Sequence, residues 1–170
     1  MIDKLNNISL IFTSEGIDHA IIGGLALAAH GVQRFTNDID FILDGENRLK
    51  VKSVLAAKGF KLHFESPDVL QFVGDVDVDI ILANRPMSRA MLQNARVLKP
   101  FKVKTVGIEA LIGLKIQAYC NNHKREYKDK GDIASLISSG QPIDWQLVQK
   151  YADLFGEWKA IQEIKEKMES

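Results

Sequence analysis

Gly23-Gly24-Leu25-Ala26-Leu27-Ala28-Ala29-His30-Gly31-Val32-Gln33-Arg34-Phe35-Thr36-Asn37-Asp38-Ile39-Asp40-Phe41-Ile42-Leu43 is the stretch that decides the fold. Before it, the β-branched run Ala20-Ile21-Ile22 predicts a short buried strand that stops at the glycine pair. Leu25 to His30 then forms a short helix of small residues, and a second strand runs from Ile39 to Leu43. On a strand, residues i and i+2 point to one face about 6.5–7 Å apart, so Asp38 and Asp40 are able to lean onto one divalent ion. The glycine pair lets backbone approach a phosphate, and the helix start adds free N–H groups. Thr36 and Asn37 can fix the turn ahead of the pair by hydrogen bonds to nearby backbone.

Outward from this block, residues 2–15 place Ile2, Leu5, Ile8, Ile11 and Phe12 at helical spacing, with Gly16 as the stop. Downstream, the pattern predicts a helix over Glu46–Lys58 closed by Gly59, then strands at Lys61–Glu65 and Val69–Val73. Asp75-Val76-Asp77-Val78-Asp79-Ile80-Ile81-Leu82 alternates acid and apolar residues, the signature of a half-buried strand carrying three carboxylates on one face. Pro86 turns the chain into a helix over Met87–Asn94, and short strands at Arg96–Leu98 and Lys102–Val106 surround Pro100. Beyond Gly107 the pattern becomes helical: Ile108–Cys120, Lys128–Ile137, Trp145–Leu154 and Trp158–Lys167, separated by Gly131 or Gly140, Pro142 and Gly156. The expected fold class is α/β (α+β): a short mixed sheet flanked by helices over residues 1–106, and a helical region over residues 107–170 packed on it as one compact unit.

Composition narrows the function classes. The 170 residues, 46% of them hydrophobic, are enough for one well-buried domain. Lys plus Arg and Asp plus Glu are equal at 22 each, so bulk charge neither advertises nucleic-acid binding nor excludes it. A single cysteine, Cys120, excludes an internal disulfide framework, and no Cys/His group has zinc-ligand spacing. No apolar run approaches the roughly 18 residues of a membrane span, and the N-terminus lacks the pattern of a secretory signal. The expectation is a reducing, cytoplasmic setting with no membrane partner.

The glycine pair, the gap and the Asp38-Ile39-Asp40 strand resemble the nucleotidyltransferase superfamily of the DNA polymerase β type. With His30-Gly31, Arg34 and Thr36 the block looks particularly like the AbiEii-like nucleotidyltransferases of bacterial toxin–antitoxin and phage-defence systems. The resemblance extends to Val78-Asp79-Ile80-Ile81-Leu82-Ala83 and to Glu109–Lys115 with Lys128-Asp129 and Asp132, covering roughly Ile21 to Ile137. It implies a nucleotidyltransferase fold with a helical C-terminal region closing the nucleotide cleft. It further implies two Mg²⁺ ions, with Mn²⁺ as the substitute, held by Asp38 and Asp40, and a third carboxylate on the catalytic ion. Asp79, which leads into an unbroken apolar run, is the first choice for that ligand and Asp77 the second. Gly23, Gly24, Arg34, Thr36, Lys115, Lys128 and Asp129 are the implied nucleotide-binding residues. Several of these have structural competitors: the glycine pair can be a tight connection only, Arg34 can pair with an acid, Lys115 can snorkel to water from its apolar helix, and Lys128 can pair with Asp132 at i,i+4.

The activity so implied is metal-dependent transfer of a nucleoside monophosphate from an NTP to a hydroxyl acceptor, with release of pyrophosphate. An RNA end such as a tRNA acceptor stem ranks first as acceptor, a protein hydroxyl second and an aminoglycoside-type molecule third. A cognate antitoxin is an expected partner. The alternative is a catalytically silent nucleotidyltransferase-fold protein that binds a nucleotide or a partner. His30, Cys120, Trp145 and Trp158 are expected to serve packing, and the basic run His123–Lys128 is expected to be a solvated loop.

Overall fold

The computed structural model describes all 170 residues. Its elements in chain order are α1 (Ile2–Ser14), β1 (His19–Ile21), α2 (Gly23–Ala29), β2 (Asp38–Asp44), α3 (Arg48–Ala57), β3 (Lys61–Glu65), β4 (Val69–Val73) and β5 (Asp77–Ala83). There follow α4 (Pro86–Gln93), β6 (Arg96–Val97), β7 (Lys104–Thr105), α5 (Ile108–Asn121), α6 (Glu126–Ser138), α7 (Trp145–Asp153) and α8 (Trp158–Glu169). All strands join one sheet in the order β3-β4-β5-β2-β1-β7-β6. The sheet is mixed: β2 runs parallel to β5 and β1 to β7, while the other neighbours are antiparallel.

By its contacts the chain divides into two units, one of residues 1–29 and 34–106 and one of residues 30–33 and 107–170. The first holds the whole sheet. Its core face is built from alternate residues of the central strands, Ile39, Phe41 and Leu43 of β2 and Val78, Ile80 and Leu82 of β5, with Leu70 and Phe72 of β4. Leu5, Ile8 and Phe12 of α1 and Val51 and Leu55 of α3 cover them. Burying each such side chain is worth roughly 1.5–3 kcal/mol, so this face anchors the strand register that the opposite face uses. Phe12, His19 and Phe41 meet edge to face, with centroids 5.2–5.7 Å apart. The second unit is helical, with Ile112, Ile116, Ile133, Leu136, Val148 and Ile161 buried inside it.

Several boundaries differ from the sequence expectation for identifiable reasons. β5 begins at Asp77, and Asp75 lies outside it, where Lys4 donates to the Asp75 carbonyl at 2.7 Å. Asp75 therefore does not share the strand face of Asp77 and Asp79. The helix expected over Glu46–Lys58 is split: Asp44 caps a 3₁₀ turn over Gly45–Asn47 by accepting from Glu46 N at 2.9 Å, and α3 starts only at Arg48. Gly131 sits inside α6 with open space where a Cβ would be, so it ends nothing, and Gly140 with φ +76° supplies the stop.

Candidate active site

The face of the sheet opposite the core carries the acidic residues. Pairing of β2 with β5 places Asp40 opposite Asp79 and Asp38 opposite Asp77. Carboxylate oxygens of Asp38, Asp40 and Asp79 lie within 4.8 Å of one another, and all three residues are half-buried. Asp77 is exposed. Oxygens on one Mg²⁺ at about 2.1 Å stand at most roughly 4.2 Å apart, so a small side-chain rotation fits these donors to one ion, and two adjacent ions span them directly. All-oxygen, all-carboxylate donors suit a hard divalent cation.

Local sequence explains why the carboxylates converge. Thr36 Oγ1 lies 2.6 Å from Asp38 Oδ1, to which it donates, and 3.1 Å from the Asp38 carbonyl oxygen. Ile22 N donates to the Asp40 carbonyl at 2.9 Å, which ties the glycine turn to β2. A Cβ on Gly23 would stand 2.1 Å from Asp40 Oδ2, and Gly23 has φ +63°. On Gly24 a Cβ would stand 2.8 Å from the Thr36 Cβ. The glycine pair thus makes room for the site's own Asp40 and Thr36, in addition to any approach of backbone to phosphate. Arg34 is half-buried in the segment leading into β2.

The second unit holds the other candidates. Lys115 Nζ on α5 donates to Asp129 Oδ1 at 3.1 Å and to Asp132 Oδ2 at 2.8 Å, and Arg125 Nε donates to Asp129 Oδ2 at 3.0 Å. Asp129 and Asp132 are buried on α6, so this is an internal ion-pair cluster. Lys128 is exposed. The link from Lys115 to Asp132 spans 17 residues, and nothing in local spacing reveals it. His30, buried, pairs through Nδ1 with Gln141 Oε1 at 3.1 Å and accepts at its carbonyl from Gln141 Nε2 at 3.0 Å.

Two residues that carried no weight in the sequence extend the acidic row. Gln71 of β4 stands opposite Asp79, and Phe64 of β3 opposite Gln71, so Asp40, Asp79, Gln71 and Phe64 form one row across four strands. Phe64 is 50% exposed.

No protein-family model matches the chain, and no curated protein sequence matches it. Solved structures do match. The antibiotic-resistance factor ANT(2'')-Ia superposes with a TM-score of 0.70 at 18% identity over 95% of this chain and 94% of that one. A lincosamide antibiotic adenylyltransferase, LnuA, in its lincomycin-bound form gives 0.57 at 18% identity over 80% and 96%. A nucleotidyltransferase-like antigenic protein from Paracoccidioides brasiliensis gives 0.55 at 20% identity over 94% and 88%. With the acidic pair on β2 and its register partner on β5, the chain has the nucleotidyltransferase fold.

Proposed function

We propose that this chain is a divalent-metal-dependent nucleotidyltransferase that moves a nucleoside monophosphate from an NTP to a hydroxyl acceptor. The observation that carries this reading is the convergence of Asp38, Asp40 and Asp79 oxygens within 4.8 Å on the face of the sheet opposite the core. Three carboxylates so close repel one another, an arrangement whose cost a cation removes. When bound there, divalent ions would acidify the attacking hydroxyl and neutralise charge on the departing pyrophosphate.

The chain's own residues supply position. Asp38 and Asp40 would hold the ions, with Asp79 as the third ligand on the nucleophile side, and Thr36 fixes the Asp38 carboxylate so that little reorganisation is needed. Gly23 and Gly24 keep the floor open beneath Asp40 and Thr36 and are assigned, with Arg34 and Thr36, to the nucleotide. The resemblance adds Lys115, Lys128 and Asp129 to the nucleotide-binding set; within the helical unit Lys128 is exposed, whereas Lys115 is held by Asp129 and Asp132. In the reaction the acceptor oxygen bonds to the α-phosphorus, the bond to pyrophosphate breaks, and the hydroxyl proton passes to solvent.

The pattern of His30-Gly31, Arg34 and Thr36 supports placing the chain on the AbiEii-like branch, with a toxin–antitoxin or defence role and a cognate antitoxin as partner. The test of the activity is incubation of purified protein with each labelled NTP, Mg²⁺ and, in turn, small-molecule, RNA and protein acceptors. Label transfer that needs Mg²⁺ and is abolished in Asp40→Asn is the expected result. Absence of metal-dependent NTP binding and of transfer to every class would leave the silent, partner-binding alternative.

A further inference from the structure

We infer, on the basis of the nucleotidyl-transfer reading above, that Gln71 and Phe64 form the acceptor subsite and that the acceptor is a small cationic hydroxyl compound containing a ring. Register is the first argument. Phe64, Gln71 and Asp79 face one another in sequence on β3, β4 and β5, on the face opposite the apolar core. Neighbouring strands lie about 4.8 Å apart, so Phe64 is about 10 Å from Asp79. A hydroxyl compound of one or two rings spans that distance, with its reacting oxygen beside Asp79 and the apolar face of a ring on Phe64.

Exposure is the second argument. Phe64 is 50% exposed and Val73, also on this face, is 46% exposed, while Leu70 and Phe72 of the same β4 strand are buried in the core. An aromatic ring left open one strand from Gln71, whose amide both donates and accepts, presents a stacking surface beside a hydrogen-bonding group. Charge is the third. Asp38, Asp40, Asp77 and Asp79 lie on this face of β2 and β5, and Lys61 is the one cation that β3 and β4 add to it. The triphosphate adds further negative charge. Polyanionic acceptors such as RNA depend on many Lys and Arg contacts to phosphate, and this shelf supplies one. Amino groups, by contrast, are attracted both to Asp77 and to the face of Phe64. The shelf therefore reverses the acceptor order that the resemblance suggests.

The test uses the full chain with Mg²⁺ and each α-labelled NTP. It is presented separately with the RNA, the protein and the small-molecule fractions of a cell extract, the last divided beforehand on a cation exchanger. Label is expected on compounds from the retained small-molecule fraction. Phe64→Ala and Gln71→Ala are each expected to raise the acceptor KM about tenfold, the size of a lost stacking contact or hydrogen bond, while affinity for Mg²⁺·NTP is unchanged. Phe64→Trp is expected to restore the acceptor KM, which a merely structural defect would not allow. Label on RNA, on protein or on unretained molecules overturns the inference. So does NTP binding with no transfer to any fraction, or an acceptor KM that neither alanine variant moves. Failure of the wild type to bind Mg²⁺·NTP better than Asp40→Asn instead overturns the nucleotidyl-transfer reading itself, and this inference with it.

Discussion

Asp38→Asn is expected to stabilise the protein without metal and to destroy its response to metal, two effects of opposite sign. Asp38 shares a 4.8 Å cluster with Asp40 and Asp79, and at that distance a pair of like charges repels by about 1 kcal/mol in bulk water and about 3.5 kcal/mol at an effective dielectric of 20. The three residues are half-buried and open to solvent on one side, so screening holds the repulsion near the lower figure. Removing one charge relieves two such pairs, about 2 kcal/mol. Asparagine keeps the Oδ1 acceptor for the Thr36 hydroxyl, now 2.6 Å away, so the substitution subtracts charge and little else. For a chain of this length the gain corresponds to roughly 4–8 °C in melting temperature. In the wild type, Mg²⁺ at a hundred times its dissociation constant adds about 2.7 kcal/mol, whereas the variant has lost one of its three ligands and should gain little. Thermal unfolding followed by circular dichroism, in EDTA and then in Mg²⁺, reads both effects. A repeat in EDTA with 1 M NaCl should shrink the difference, because screening there acts over about 3 Å. A variant that melts below the wild type in EDTA, or that responds to Mg²⁺ as the wild type does, refutes the electrostatic argument for a metal cluster.

Gly23→Ala places a methyl 2.1 Å from Asp40 Oδ2 at a φ of +63°, so it should displace the carboxylate, abolish the Mg²⁺-induced rise in melting temperature and lower stability by about 1–2 kcal/mol; an unchanged Mg²⁺ response would show that Gly23 is not the floor of the site. Lys115→Met leaves Asp129 and Asp132 buried without their ammonium, an expected loss of about 3–5 kcal/mol in urea unfolding, and adding Asp132→Asn should recover part of it; a neutral single variant would mean that the cluster is solvated in solution. Burial of His19 depresses its pKa, so the folded state favours the neutral ring while the unfolded chain takes up a proton below about pH 6.5. Stability should therefore be fully present above pH 6.5 and fall as the pH is lowered from there, and His19→Asn should flatten that dependence; identical pH profiles for the two proteins would remove His19 as its source.

Local chemistry was legible wherever one element decides it. The glycine pair, the Asp38-Ile39-Asp40 spacing and the β-branched run before them already contain the strand, turn and strand that build the centre of the sheet. Lys61–Glu65 and Val69–Val73 emerge with the expected bounds. Errors cluster where a cap or a long-range partner intervenes. Asp44 accepts from Glu46 N and converts the expected start of α3 into a 3₁₀ turn, while Gly131 lies within α6 and the helix runs on through it to Ser138. Lys115 shows the same limit at the level of chemistry. A lysine on an apolar helix reads as either a snorkelling side chain or a phosphate ligand, and only the fold reveals two carboxylates 14 and 17 residues away that hold it.

The row of Phe64 and Gln71 beside Asp79 was hidden for a more specific reason. Simple alternation along Lys61-Leu62-His63-Phe64-Glu65 puts Leu62 and Phe64 on one face, and since both are apolar that face would be assigned to the core. The register shift between Leu62 and Phe64 breaks the alternation: Leu62 pairs with buried Phe72, while Phe64 pairs with Gln71. One extra residue in an edge strand therefore sends Phe64 to the opposite face from Leu62, where the parallel pairing of β2 with β5 has already placed Asp40 and Asp79. A bulge leaves no compositional trace, because its signal lies in the partner strand's register and not in its own residues. Nor does the parallel β2–β5 pairing, whose strands are separated by α3, β3 and β4. The acidic pair could thus be read from a contiguous motif, whereas the row that joins Phe64 and Gln71 to Asp79, the proposed acceptor shelf, exists only once three strands have been laid side by side.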